Sequence, residues 1–341
     1  MIDYTVFYKR ELPPIADAWP DDLHWNVFIS AYTSSQRAYE VFNKVDANIK
    51  HWLLFPEYNY TKDEYPIEES FPLVGYSESE ILLEYLETHR SDISTGRLCV
   101  DTTGFIRPYL MFLVKWLADN NIRKFDALYS EPSHYEKKEK TRFSDEVVTQ
   151  VRQVQGFEGI HVTNTQNDLL IIGSGYDHEP IAQVAESKNN AKKVQILGLP
   201  SLRPDMYQEN VLRAHLASES VGIGMDDEAH SFFAPAYDPF VTASILRNVV
   251  NRYDSGDGIT NLYLCPLATK AQVLGFTMYY LTERIGTPTS IIYPFTLAYS
   301  KQTSKGISRV WHYIVELPVG GSTPYSRFGI PDIKHFKESK T

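Results

Sequence analysis

The sequence predicts an α/β protein, with mainly parallel, Rossmann-like sheets, helices on both faces, and two lobes. Three observations predict it. Short apolar runs alternate with amphipathic helical stretches along most of the chain, the pattern of strand–helix–strand units. The alternation breaks once, between about residues 131 and 160, and then resumes. The chain has 341 residues, 43% of them hydrophobic, enough for two cores rather than one. The expected lobes are residues 1–145 and 146–341.

The elements follow in order. Trp25 to Ser30 is apolar and aromatic and reads as a strand, and Ser34 and Ser35 offer N-caps to a helix through about Val45. His51 to Phe55 is a second strand. Pro56 cannot donate to a ladder, so Pro56 to Asn59 reads as a loop. Ser77 to Glu80 resembles a capping box and opens a helix through about Thr88. Leu98 to Asp101 is a strand, Ile106 to Asn120 a helix, and Lys124 to Tyr129 a strand. Glu131 to Arg142 is polar and charged and reads as a solvated loop.

Val147 to Val154 mixes apolar and polar residues, as a half-exposed antiparallel strand does. Asp168 to Ile172 and Lys193 to Leu197 are strands, with a helix starting at Pro180 between them. Pro204 to Leu216 is helical in pattern. Asp238 and Pro239 start another helix, through about Val250. Leu262 to Cys265 is a strand, Thr269 to Thr282 a helix, and Ser290 to Tyr293 and Val310 to Leu317 the last strands. The tail from about Lys334 is charged and expected to fray.

The totals exclude some functions. Lys and Arg number 33 against 43 Asp and Glu, a formal net charge of −10. That argues against duplex DNA or a membrane surface as the partner. No apolar run reaches the ~18 residues of a membrane span. Met1 to Tyr4 lacks a basic then apolar leader, so a cytoplasmic location is expected. Cys99 and Cys265 both fall in strand-like runs and read as buried free thiols. No Cys/His zinc spacing occurs, and no metal or cofactor is assigned. The 23 tyrosines suit interfaces or ring-stacking pockets as well as ordinary core.

In parallel sheets, ligands bind beyond the carboxyl ends of the strands, where helix N-termini offer N–H groups and partial positive charge. Polar residues at such ends rank as site candidates. Asp101, Thr102, Thr103 and Gly104, with Arg107 one turn later, form the first group. Their hydroxyls can cap a helix or bind phosphate, and Gly104 would let a ligand approach the backbone. Gly173, Ser174 and Gly175, followed by Asp177, His178 and Glu179, form the second. This loop is neither the dinucleotide fingerprint nor a P-loop. Its carboxylates suit ribose hydroxyls, and His178 with Asp177 suits acid/base chemistry. Thr269 and Lys270 form the third. A lysine at a helix start opposes the helix dipole, which a bound anion or solvent would offset. Ser30 to Ser35, Pro200 to Arg203 and Tyr299 to Lys305 are weaker candidates.

The run Trp25-Asn26-Val27-Phe28-Ile29-Ser30 resembles the opening strand of TIR domains, which commonly reads aromatic, Asp, Val, Phe, Ile, Ser. Asn26 stands where that pattern has Asp. The later Trp-and-Glu segment of NAD-cleaving members has no match here beyond Glu84. The second half is similar in outline to CARF-type sensors of bacterial antiviral systems. These resemblances imply a nucleotide-like ligand in defence or signalling. The expected function is therefore binding of a small phosphate-bearing ligand, a nucleotide first. A hydrolase or transferase acting on a nucleotide or other phosphoester is the alternative, with His178 and Asp177 or Asp101 as acid/base. A non-catalytic scaffold is the third reading. A homodimer or a protein partner is compatible with each.

Overall fold

Residues 3–135, 148–175, 178–202, 230–301 and 304–318 are described by the computed structural model of the chain. In its first half the strands are β1 (Lys9–Leu12), β2 (His24–Ala31), β3 (Asp46–Leu54), β4 (Ser70–Pro72), β5 (Leu98–Asp101) and β6 (Lys124–Tyr135). The helices are α1 (Gln36–Lys44), α2 (Glu78–Thr88), α3 (Arg90–Ser94) and α4 (Arg107–Asp119). The second half holds β7 (Gln150–Gln153), β8 (Leu169–Ser174), α5 (His178–Ser187), β9 (Lys192–Gly198) and β10 (Ser231–Ala234). It continues through α6 (Pro239–Asp254), β11 (Leu262–Pro266), α7 (Lys270–Tyr279), β12 (Thr289–Phe295) and β13 (Ser304–Glu316).

The result is a mixed α/β structure with two mainly parallel sheets. The seven-stranded sheet runs β1-β13-β6-β5-β2-β3-β4, and the six-stranded sheet runs β10-β9-β8-β11-β12-β7. Strands β2 to β6 are parallel, as are β8 to β12. The central strands are apolar because both faces are covered. Val27 and Ile29 of β2 enter the main core, while Phe28 enters a second cluster with Phe42 and Trp52. Cys99 in β5 and Cys265 in β11 are buried free thiols, and burial raises both above their usual range. At the start of α2, Ser77 Oγ accepts from the Glu80 amide, and the Glu80 side chain reaches back to the Tyr76 amide. No described helix is long and apolar enough to cross a membrane.

The sheets share one winding plan. The first parallel strand lies in the middle, the next two step outward on one side, and the last two lie on the other. Winding therefore reverses between β2 and β5 in one sheet and between β8 and β11 in the other. Loops leaving adjacent strands diverge at such a point and open a crevice. β13, late in the sequence, returns to the seven-stranded sheet and pairs antiparallel with β6 and β1.

One expectation is corrected. Residues 131–135, read as part of a solvated loop, continue strand β6 against β13. Glu131 is fully buried, where its carboxylate accepts from Trp311 Nε1 at 2.6 Å and from Arg309 Nε at 2.9 Å. A charge reads as solvated in sequence when its partners are far along the chain. The expected helix at 204–216, the rest of the 131–142 segment and the tail lie outside the described residues.

Gly104 also has a packing role. A Cβ there would overlap the carbonyl oxygen of Ala31, at the end of β2. Gly175 stands in the same relation to the carbonyl of Leu267, just past β11. Both glycines thus let two backbones approach across a winding reversal. Gly104→Ala and Gly175→Ala are each expected to cost about 1–3 kcal/mol in denaturant unfolding, the usual penalty of overpacking. Unchanged stability would show that the loops have room to yield.

Candidate functional site

The two winding reversals open onto one cavity of about 110 Å³. A single water needs about 10–15 Å³ on this measure, so a multi-atom anion fits. Beyond β2 come Thr33, Ser35 and Arg37, and beyond β5 come Thr103, Gly104 and Arg107. The other sheet contributes Ser174 and Gly175 after β8, and Thr269 and Lys270 after β11. Tyr58, Tyr129 and Tyr299 add aromatic wall, and Ser300 and Lys301 complete the stretch with Tyr299.

Four cationic side chains line it: Lys301, paired with the Glu64 carboxylate at 2.7 Å, and Arg37, Arg107 and Lys270. Arg37 is 9% exposed, and its Nη1 donates to the Ser130 carbonyl at 2.6 Å. Arg107 reaches from α4 to the other sheet's loop, where its Nε donates to the Ala268 carbonyl at 2.9 Å. Lys270 is the first residue of α7. Burial first, then the charges of Arg107 and Arg37, holds its amine well below the usual lysine range. No Asp or Glu occurs among the described residues that line the cavity.

The wall also holds polar atoms with no partner. Arg37 Nε, Ser35 Oγ and Thr33 Oγ1 make no hydrogen bond among the described residues. Ser35 is 6% and Thr33 5% exposed. Buried polar groups are nearly always satisfied, and three of the eleven unpartnered buried side-chain atoms found among the described residues lie around this one cavity. Ser35 and Ile106 are the N-caps of α1 and α4, and neither makes a side-chain capping bond. Thr269 does cap α7, accepting from the Gln272 amide, and also donates to the Ala236 carbonyl.

The residues singled out from sequence divide three ways. Thr103, Gly104, Arg107, Ser174, Gly175, Thr269 and Lys270 line the same cavity. Asp101, Thr102 and Gly173 are buried behind it. Asp101 accepts from Ser30 Oγ at 2.9 Å and the Thr103 amide at 3.0 Å, and burial raises its pKa. It holds the turn that presents Thr103. Thr102 Oγ1 donates to the Leu128 carbonyl, and Gly173 packs against the Phe276 ring. Glu179 is exposed and outside the cavity lining. Asp177 lies outside the described residues, and of His178 only its place at the start of α5 is described. No described group of three His, Cys, Asp or Glu residues could hold a metal.

No protein-family model matches this chain, and no curated protein matches it significantly in sequence. The functional reading therefore rests on the site's own chemistry. Sequence reasoning missed the lining residues Tyr58 and Tyr129 and, most consequentially, Arg37. Arg37 sits two residues beyond the hydroxyl-rich end of β2, where an arginine on a helix reads as solvated. The hydroxyl run itself, Ser30 to Ser35, was the available signal.

Lys270 makes stability depend on pH. Its folded pKa lies below the usual 10.5, so in the interval between the two values the unfolded chain binds more protons. Stability should rise with pH through that interval. Lys270→Met should unfold at a higher temperature than the wild type at neutral pH, with the gap closing toward pH 10.5. Parallel melting curves across pH would refute the buried, like-charged amine.

Proposed function

We propose that the chain binds a small phosphate-bearing ligand, a nucleotide first, between two Rossmann-like lobes formed by the two sheets and their helices. The observation that carries this reading is the orphaned trio of Arg37, Ser35 and Thr33, set beside Lys270 in a wall without a described carboxylate. A phosphate supplies what that wall lacks. It accepts several hydrogen bonds at once and offsets the clustered positive charge. Helix N-termini favour the same group.

Each part has a role in this reading. Arg37 and Arg107 carry permanent charge and hold the anion. Thr33, Ser35 and Thr103 turn hydroxyls or amides toward it. Lys270 adds an N–H donor to the same wall. Tyr58, Tyr129 and Tyr299 offer aromatic surface to a base. The TIR-like opening strand and the CARF-like outline of the second half favour a nucleotide, and a bacterial defence or signalling role, over other phosphoesters. Acid/base catalysis through His178 and Asp177 gains no specific support from the geometry.

The test is a melting-temperature screen with inorganic phosphate, pyrophosphate and nucleotides, with mass spectrometry of compounds that co-purify. A ligand at about 100 times its dissociation constant should stabilise the chain by about 2.7 kcal/mol. Arg107→Ala and Lys270→Ala should fold and lose most of that shift. Indifference of the wild type to every phosphorylated compound would overturn the proposal.

A further inference from the structure

Lys270, half-buried at the cavity, differs from the buried Lys115 in what surrounds its amine. Lys115 is 5% exposed, but its Nζ donates to the Asp119 carboxylate one helical turn away. Lys270 opens into the cavity, and among the described residues no hydrogen bond or ion pair holds its amine. The hydroxyls of the loops after β8 and β11 are committed elsewhere. Thr269 donates to Ala236, and Ser174 donates to Gln195 at 2.6 Å. Its place at the first position of α7 sets it against the positive end of that helix. Arg37 and Arg107 share its cavity, and no described carboxylate lines it.

Every one of these features disfavours the ammonium and favours the free amine. An amine desolvated and crowded by other cations is the activated form of lysine in covalent chemistry. The two guanidiniums do not deprotonate, so they can hold an anionic group while the amine stays neutral.

We propose that Lys270 is a reactive amine that forms an imine with a ligand carrying an aldehyde or ketone near its anionic group. This rests on the anion-binding reading above and adds a covalent step to it. The Nζ lone pair attacks the carbonyl carbon, a C–N bond forms, and the C=O π electrons move to oxygen. One proton passes from nitrogen to that oxygen to give a carbinolamine. Loss of the hydroxyl with the second nitrogen proton releases water and leaves C=N. The sum is amine plus carbonyl giving imine plus water, with no oxidant or reductant. Thus Arg37 and Arg107 select the anionic end, and Lys270 selects the carbonyl.

The probe is pyridoxal 5′-phosphate, an aldehyde and a phosphate on one rigid ring, added to the full chain and trapped with borohydride. Peptide mapping should place the label on Lys270, formed about tenfold faster than on surface lysines. Inorganic phosphate should suppress it, and pyridoxal without the phosphate should label Lys270 far less. Lys270→Arg should fold and lose the label. Labelling spread over surface lysines and absent from Lys270, with the phosphate shift intact, would overturn the imine and leave anion binding standing. Absence of both label and phosphate shift would overturn both.

Discussion

Parallel strands joined by helices must all present their carboxyl ends at the same edge of the sheet, and each following helix starts at that edge. Every such edge therefore collects hydroxyls, glycines and helix N-termini. In this chain two sheets of the same winding plan turn those edges toward a common cavity. The cavity's chemistry follows from that arrangement. Residues as far apart in sequence as Thr33 and Lys270 meet because each follows a strand at the place where winding reverses.

Such an edge attracts anions in any α/β protein. Here the side chains deepen the effect at a cost to folding. Clustering Arg37, Arg107 and Lys270 without a described carboxylate in the cavity lining opposes folding. Elsewhere the chain pairs its buried charges. Glu78 takes both ends of Arg152, and Asp126 accepts from His312, Arg97 and Trp25. Around the cavity, by contrast, Arg37 Nε, Ser35 Oγ and Thr33 Oγ1 have no partner among the described residues. Sites that must bind ligand commonly violate the rules the rest of the fold obeys.

Much of the fold was legible because central parallel strands are apolar throughout. Trp25 to Ser30, Leu98 to Asp101, Asp168 to Ile172 and Leu262 to Cys265 all stand out by composition and are strands or strand cores. The edge strands were harder. β1 (Lys-Arg-Glu-Leu) carries three charges, and β10 has only four residues. In the site, strand-end polarity found Thr103, Arg107, Ser174, Thr269 and Lys270 as neighbours in advance. The Asp101 carboxylate braces a turn from behind, and the missing side chain of Gly104 makes way for Ala31, packing roles that strand-end polarity does not reveal. That signal overlooked Arg37, since a long cation on an amphipathic helix looks the same whether it meets water or a cavity. Glu131 was misread for the complementary reason. Its partners Arg309 and Trp311 lie about 180 positions downstream, beyond the reach of any local pattern.

The return of β13 to the first sheet binds the architecture together in a way that simple tandem units are not bound. After β12 the chain passes along the cavity wall through Tyr299 and Lys301, whose amine meets the Glu64 carboxylate, before it enters β13. A fragment stopping soon after β6 would lack that strand. Twelve residues of β6 would then present bare N–H and C=O groups at a sheet edge, the geometry that invites association between chains. The front half is thus finished only when the ribosome has nearly completed the described chain. The open edge of β6 and the cavity wall are closed by the same late segment.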